Sequence, residues 1–354
     1  MRWQIHTIGN FASHASTWDA LNVRAGSLPF LRTDFLIPAL AEFGNGKEYL
    51  AIGEENGDPV AIGIFRRTRR GFWETFQPSQ LPLGAFLALP GLPLESALGD
   101  LLRALPGVAL GIALTQQDPA ILKRPLDSAT TETLDYVDTA CVRIIGTFED
   151  YWAKRGKNLR QNIKKQHSKL AADGVATSLE SIERPEDVAA AIAQYGRLES
   201  AGWKSMNGTA ISADNAQGRF YGKAFESFCA KGQGRIYSYL LDGRVVAMDL
   251  CLEGESTIVI LKTTYDESYK AFSPAFLMRH QYFQPIFELG RIKQVEFYGK
   301  VMEWHLRWTD EVRTLFHVNR YRWPWVKTAR QNLNRSRSTS EPSKDHLATD
   351  PTES

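Results

Sequence analysis

The feature that most constrains the fold is a strand–turn–strand pattern that occurs twice, far apart in the chain. The first copy covers residues 49–65 and the second residues 236–252. Both copies are rich in β-branched and aromatic residues, and each is centred on a dipeptide, Asn56-Gly57 or Asp242-Gly243, that accepts the positive φ values of a tight hairpin turn. β-Hairpins are common, so chance similarity is one interpretation of the pair. The other, which we prefer, is two related α/β domains in tandem.

The length of the chain supports a division into domains. Its 354 residues exceed the roughly 250–300 at which a single hydrophobic core usually stops growing. We therefore predict a first domain over residues 1–150 and a second over 151–330. Residues 331–354 are polar, rich in Ser and Thr and almost without apolar side chains, so we predict that they form a disordered tail.

Composition excludes several classes of protein. No run approaches the 18 apolar residues of a membrane-spanning helix, and the N-terminus lacks the features of a secretory signal, so we expect a cytoplasmic protein. The three cysteines, Cys141, Cys229 and Cys251, are widely spaced, which predicts buried thiols, no disulfide framework and no metal site. The net charge of +2 gives no general attraction to nucleic acid.

The sequence around residue 273 predicts the start of a helix after a strand and a polar turn. Ser273 is a residue type that caps helices, and Pro274 suits a first helical turn. A helix N-terminus presents free amides and the positive end of a dipole, which attract phosphate. The predicted donors are the amides of Ala275, Phe276 and Leu277, with the Ser273 hydroxyl beside them. Any capped helix has these features, so they indicate an anion site only weakly.

Residues 262–277 carry a more informative pattern: a strand that ends near Lys262, a Tyr-Asp-Glu turn and then Ser-Pro-Ala before a helix. This segment resembles the hallmark of the BioF2-like or CelD-type acetyltransferases of the GNAT superfamily, which are distantly related to the Fem-type aminoacyltransferases. The resemblance extends over residues 150–310, because the basic helix at 154–170, the loop with Trp203 and Lys204, and the hairpin at 241–247 occur in the family's order.

The resemblance implies an α/β fold of two GNAT-like domains, each a mixed, mostly antiparallel sheet flanked by helices, of which the first is degenerate. It implies an N-acyltransferase in which an acceptor amine attacks the thioester of acyl-CoA, such as acetyl-CoA, directly. Acyl-CoA would be a cosubstrate rather than a permanently bound cofactor. Lys262 and the start of the helix at Ser273 would bind this donor.

Catalytic and acceptor-binding residues are also carried over from the resemblance. Glu296, Asp266 and His305 are the candidates for the base, and Tyr265 or Tyr298 would protonate the leaving thiolate. Each also has an ordinary structural interpretation, as a turn former, a strand residue or an aromatic partner. The acceptor would contact the following residues: Trp203, Lys204 and Tyr298. A cross-strand pair of Asp249 and Lys262 is expected to be structural.

Two departures from the family pattern leave alternatives open. Ala275 stands where the family has Gly, and His305, a titratable group, stands where it has Lys. There are two alternatives to an acyl-CoA-dependent enzyme: a Fem-like enzyme that uses aminoacyl-tRNA, and a scaffold protein that has lost its catalytic activity. Residues 154–169 hold seven Lys and Arg and no Asp or Glu. This basic stretch suits a solvated helix face, a site for the phosphates of CoA or for an acidic acceptor, or a nucleic-acid site, for which transfer RNA is the candidate. The acceptor is an unknown amine, with polysaccharide and cell-envelope pathways as its expected context.

Overall fold

The computed structural model describes residues 1–201, 211–212 and 214–340. The first half of the chain forms β1 Arg2–Thr7, α1 Ala15–Arg24, α2 Thr33–Phe43, β2 Tyr49–Glu55, β3 Asp58–Arg69, β4 Phe72–Thr75, β5 Phe86–Ala88, α3 Leu94–Ala104, β6 Gly111–Gln117 and β7 Thr131–Arg143. The second half forms α4 Phe148–Ala153, α5 Lys157–Ala172, β8 Thr177–Ile182, α6 Pro185–Ala201, α7 Ala216–Ala230, β9 Gly234–Leu241, β10 Arg244–Glu253, β11 Thr257–Tyr265, α8 Pro274–Glu288, β12 Gln294–Glu296, α9 Glu303–Leu306, β13 Val312–Tyr321 and α10 Pro324–Ser340.

The two halves repeat one topology. In the first, β1, β2, β3 and β4 pair antiparallel in sequence order, and β4 pairs parallel with β6 after the crossover through α3. In the second, β8, β9, β10 and β11 pair in the same way, and β11 pairs parallel with β12 after α8. Two helices follow the first strand of each half. The predicted fold class, a mixed and mostly antiparallel sheet flanked by helices in each half, is confirmed.

The predicted hairpins at 49–65 and 236–252 are part of this repeat. Asn56 and Gly57 have φ values of 53° and 88°, and Asp242 and Gly243 have 47° and 77°. These positive angles match the right-handed twist of the flanking strands, so a two-residue turn can close each hairpin.

Each half contributes its last strand to the sheet of the other half. β7 pairs with β12 of the second half, β13 pairs with β6 of the first, and β7 and β13 pair antiparallel with each other between them. The two sheets therefore join into one sheet in the order β6–β13–β7–β12 at its centre. The predicted domain boundary near Asp150 lies within α4, and a cut there would separate β7 from both of its neighbours.

The halves also share a hydrophobic core. Phe35 of α2 meets Phe220 of α7 edge to face, with ring centroids 4.9 Å apart, and one buried cluster contains apolar side chains from both halves. Asp34 of α2 accepts hydrogen bonds from Lys231 at 2.6 Å and 2.7 Å. Burial of apolar surface between α2 and α7 is thus a main source of the cohesion between the halves.

Two sequence predictions about helices need correction. The basic helix predicted at 154–170 begins only at Lys157, because α4 ends at Ala153 and Gly156 is the N-cap of α5. The tail predicted as disordered from residue 331 continues α10 as far as Ser340. Contacts with β7 and the residues before it anchor the helix where the predicted tail begins: Gln331 donates to Glu132 at 2.7 Å, and Lys327 donates to the carbonyls of Ser128 and Thr131. Residues 341–354 lie outside the described part of the chain.

The three cysteines are free and buried, as the sequence predicts. Within the described ranges, every helix is too short or too polar to cross a lipid bilayer.

Candidate functional site

The main pocket lies where two parallel strands part. β11 and β12 pair from Thr257 and Gln294 to Val259 and Glu296, after which β12 ends and β11 continues to Tyr265. A cavity of about 480 Å³ occupies the space beside the free end of β11. It is lined by the end of α6, residues 263–265 of β11, part of the segment 267–276, Arg279, and four residues in and beside α9: Met302, Glu303, Trp304 and Arg307. The segment that the sequence predicts to bind the donor thus forms one wall of a pocket.

The N-terminus of α8 opens into this pocket through Ser273, Pro274, Ala275 and Phe276. Ser273 occupies the N-cap position but is left-handed, with φ of 53°, and its side chain makes no capping hydrogen bond. Its hydroxyl instead accepts a hydrogen bond from Asn162 of α5 at 3.3 Å. The prediction that the Ser273 side chain caps the helix is therefore wrong, because a left-handed N-cap directs the side chain away from the first-turn amides.

The predicted amide donors do not behave alike. The amides of Phe276 and Leu277 both donate to the Ser273 carbonyl, at 2.9 Å and 3.2 Å. The amide of Ala275 has no acceptor among the described residues. It lies at the positive end of a helix of 15 residues. Of the three predicted amides, Ala275 is the one available to an anion.

A buried arginine lies behind this amide. Arg279 is 1% exposed, and its Nε and Nη2 donate to the carboxylate of Asp249 at 3.0 Å and 3.1 Å. Nη2 also donates to Thr263 at 2.6 Å, and Tyr282 donates to Asp249 at 2.8 Å. The guanidinium carbon lies 4.4 Å from the ring centroid of Trp304. The paired carboxylate compensates the burial of the cation, while Nη1 has no hydrogen bond to a described residue.

Lys262 does not line the pocket but pairs with a residue that does. Its ammonium lies 3.2 Å from Glu199, a buried residue of α6 that lines the pocket. The sequence-based pairing of Lys262 with Asp249 is wrong, because Asp249 lies opposite Thr263 and Lys262 lies opposite Leu250. Successive residues of a strand point to opposite faces, so the two charges are on different sides of the sheet.

Tyr265 and Asp266 lie next to each other but differ in surroundings. Tyr265 lines the pocket and is partly exposed. Asp266 accepts hydrogen bonds from the amide and the hydroxyl of Ser268. It also forms an ion pair with Arg244 at 2.7 Å. Burial alone would raise the pKa of Asp266, but these partners lower it overall. The carboxylate is thus held ionised at the start of a short 3-10 helix, Glu267–Phe272, and does not line the pocket.

Glu296 and Tyr298 lie at the junction of the two halves. Arg313 of β13 donates to Glu296 at 2.9 Å and to both oxygens of Asp118 at 2.8 Å and 2.6 Å, and the Tyr298 hydroxyl donates to Asp118 at 2.9 Å. Burial raises the pKa of Glu296 to about 7, against the opposing charge of Arg313. Neither Glu296 nor Tyr298 lines the main pocket.

His305 is packed behind the pocket wall. Its ring stacks on Trp304 with centroids 3.5 Å apart, and its Nδ1 accepts a hydrogen bond from the amide of Met302 at 2.9 Å. Burial and the charge of Arg279 lower the pKa of His305 to about 4, so the imidazole is neutral at pH 7. Trp203 and Lys204, the predicted acceptor contacts, lie outside the described residues.

A second groove adjoins the pocket along α5. The two share Glu303 and Arg307, and the groove continues past Lys154, Arg155 and Asn158. Six of the seven basic side chains predicted for this region are exposed, whereas Arg155 donates to the Trp308 carbonyl at 3.0 Å. The basic helix therefore has an apolar face packed on α8 and a charged face beside the groove.

Sequence reasoning missed Arg279, Glu199 and Arg307. A weak signal for Arg279 is present, since a charged residue interrupts the otherwise apolar and aromatic face of the helix after Pro274. Glu199 and Arg307 come from elements distant in sequence, and nothing local marks them as pocket residues.

Comparison with known families finds a match for the part of the chain that holds the pocket. Residues 157–306 match the family model described as an acetyltransferase (GNAT) domain. The matched segment runs from the first residue of α5 to the last residue of α9 and contains nearly the whole pocket. Because the first half repeats the topology of this segment, the fold is two GNAT-like domains in tandem.

Solved structures show the same fold over most of the chain. The C-terminal domain of a protein provisionally assigned as a lysylphosphatidylglycerol synthetase, from Agrobacterium fabrum, has a TM-score of 0.56 at 12% identity, covering 91% of this chain and 96% of that one. FemX has a TM-score of 0.56 at 9% identity, covering 93% and 99%. A protein of unknown function from Bacteroides thetaiotaomicron has 0.55 at 12%, covering 87% and 96%. The search of curated proteins finds no match.

Proposed function

We propose that the protein is an N-acyltransferase that takes its acyl group from acyl-CoA bound in the main pocket. One observation carries this proposal: the unpaired amide of Ala275 and the buried guanidinium of Arg279 face one cavity, at the point where β11 and β12 separate. An amide at a helix N-terminus suits a pyrophosphate, and a thioester arm would extend into the opening between the strands.

The charges on the rim support an anionic donor. Lys270 and Arg307 line the pocket and are exposed, so both can approach a phosphate without being desolvated first. The groove beside α5 adds further cations in line with the pocket. Ala275, where the resembled family has Gly, keeps the amide donor and adds one methyl group, so the departure is compatible with binding.

The pocket residues also suggest how transfer would occur. The acceptor nitrogen would attack the thioester carbonyl and form the new C–N bond, while the C–S bond breaks. Arg279 Nη1 is placed to stabilise the developing oxyanion. We propose Glu199 as the carboxylate that takes the amine proton and Tyr265 as the donor to the leaving thiolate, since both line the pocket. Glu296, Asp266 and His305 remain predictions as bases, and none of the three lines the pocket.

The test is thermal denaturation with acetyl-CoA and longer acyl-CoAs. A ligand at about 100 times its Kd stabilises the folded state by about 2.7 kcal/mol, so the melting temperature should rise. The double variant Lys270→Glu, Arg307→Glu should lose this rise, and Lys123→Glu, an exposed charge reversal in a loop of the first half, should keep it. No rise with any acyl chain length would refute the assignment of the donor.

The exposed basic face of α5 favours a second candidate, a donor of aminoacyl-tRNA type, because six of the seven Lys and Arg at 154–169 are exposed and one of them, Lys154, lines the groove. FemX shares the fold, which is compatible with this alternative. Filter binding with transfer RNA over a range of salt concentrations distinguishes the two, because phosphate contacts give an affinity that falls steeply with salt. A decayed scaffold would bind neither donor. We also propose that the enzyme is of the BioF2-like or CelD-type subtype. Its acceptor would be an amine from a polysaccharide or cell-envelope pathway.

A further inference from the structure

Aromatic and basic side chains, most of them exposed, form a patch at the C-terminal end of β13, where this strand pairs with β6. Trp323 is 40% exposed and Trp325 62% exposed, and Val108, in the loop after α3, is 64% exposed. Monomeric surfaces seldom expose two tryptophans side by side. We call this surface the tryptophan patch; its members are Val108, Trp323, Trp325, Arg69, Arg322 and Arg330.

The patch is one continuous surface although its residues come from three segments. The amide of Arg322 donates to the Leu110 carbonyl at 2.9 Å, and the amide of Leu110 donates to the Gly71 carbonyl at 2.6 Å. These bonds join the start of α10 to the loop after α3 and to the turn between β3 and β4. The guanidinium groups of Arg69 and Arg330 both lie over the Phe72 ring, at 4.8 Å and 5.5 Å.

The charge around the patch is strongly positive. Residues 312–340 contain seven Lys and Arg and no Asp or Glu. The β3–β4 turn adds Arg67, Arg69 and Arg70, all exposed. Two cations of residues 312–340 are already paired with carboxylates, Arg313 with Asp118 and Glu296 and Arg320 with Glu95. Glu74 pairs with Arg66 at 2.7 Å, and Glu132 accepts hydrogen bonds from Tyr321 and Gln331. The arginines beside the tryptophans, Arg69, Arg322 and Arg330, lie over aromatic rings instead. The surface therefore offers uncompensated cations beside exposed indole rings.

We propose that the tryptophan patch binds the surface of an anionic phospholipid bilayer. Indole rings partition into the headgroup region, and each Lys or Arg near an anionic surface adds to the attraction. Among the described side chains of α10, Val326 is the one that is buried, so the helix is free to lie along a surface.

Ring geometry favours a membrane over a nucleic acid. One face of Trp323 is covered by Arg322, whose guanidinium carbon lies 5.1 Å from the ring centroid. The ring also stacks on Trp325, with centroids 5.8 Å apart and an angle of 11° between the planes. A base needs a free ring face for stacking. Arg322 and Trp325 compete with a base for the Trp323 ring, whereas insertion among lipid headgroups needs only exposed edges.

The experiment is co-sedimentation of the full chain with vesicles of phosphatidylcholine alone and with a minor fraction of phosphatidylglycerol. The chain should bind the anionic vesicles and bind the neutral ones much more weakly. The double variant Trp325→Ala, Arg70→Glu should weaken binding by at least about tenfold, since it removes an indole and reverses a charge near the lipid surface. The matched control is Val23→Ala, Arg24→Glu, an exposed apolar and basic pair on α1, which should bind like the unaltered chain.

Circular dichroism and melting temperature check that both double variants fold, which their exposed positions lead us to expect. Absence of binding to anionic vesicles, or an equal loss in the α1 control, overturns the proposal. Binding of transfer RNA that is lost in the Trp325 variant, without any binding of vesicles, would reassign the patch to nucleic acid. The measurement is independent of acyl-CoA, so failure of the proposed enzymatic function leaves its outcome unaffected.

Discussion

Replacement of Glu296 by Gln should remove a pH-dependent loss of stability. Glu296 is buried at the junction of the halves, where Arg313 is shared between its carboxylate and that of Asp118. Burial raises the pKa of Glu296 to about 7, from the ordinary value of 4.5. A carboxyl group with a raised pKa binds its proton more tightly in the folded state. The stability gained from that proton is therefore present below pH 4.5 and lost as the pH rises to about 7.

The magnitude follows from the difference between the two pKa values. The gap between 4.5 and about 7, at about 1.4 kcal/mol per pH unit, corresponds to a loss of about 3 kcal/mol. Glutamine keeps the carbonyl oxygen that accepts from Arg313, and Asp118 keeps its two hydrogen bonds to Arg313. The variant should therefore lose the pH dependence without losing the packing.

The assay is urea denaturation of the wild-type protein and of Glu296→Gln at about pH 5 and about pH 8, with the difference in unfolding free energy compared between the two conditions. From about pH 5 to about pH 8, the unfolding free energy of the wild-type protein should fall relative to that of the variant by up to about 3 kcal/mol. Glu311→Gln, which removes an exposed carboxylate just before β13, is the control. An equal difference at both pH values would show that the Glu296 carboxylate is ionised in the folded protein throughout and would refute the reasoning.

Two further predictions concern buried contacts. Asp249→Ala should cost about 3–5 kcal/mol of stability, because it leaves the Arg279 cation buried without its carboxylate; adding Arg279→Met should recover part of the loss in urea unfolding. Gly84→Ala should cost about 1–3 kcal/mol, because a Cβ there would lie 2.4 Å from the Thr75 hydroxyl. Gly9→Ala, whose Cβ would meet nothing within 4 Å, should change the midpoint of thermal unfolding little, and equal effects at the two glycines would contradict the steric argument.

Features set by neighbouring residues were predictable from the sequence. The two hairpins follow from Asn56-Gly57 and Asp242-Gly243, because these residue types tolerate the positive φ angles of the turn. The strand, polar turn and helix around Pro274 follow from residues within one segment, and the segment indeed forms a wall of the pocket. The repeat of the hairpin predicted the doubled fold, since local pattern and global topology agree there.

Features set by distant residues were not predictable in the same way. Ser273 has the composition of a helix cap, but its left-handed backbone, which the sequence does not encode locally, directs its hydroxyl to Asn162 on another helix. Asp249 pairs with Arg279 rather than Lys262 because the register of β10 on β11 puts the two strand residues on opposite faces. Both outcomes depend on how elements meet in space.

The strand, turn and helix around Pro274 and the doubled α/β plan are therefore determined by the sequence itself, through turn residues, strand periodicity and the Ser-Pro helix start. The tertiary structure decided that β7 and β13 exchange between the halves, which brings Glu296 together with Arg313 and Asp118 and away from the pocket. The physical reason is that backbone conformation depends mainly on neighbouring residues. The pairing of buried charges and of strand edges depends on which surfaces the whole chain brings together when it buries its core.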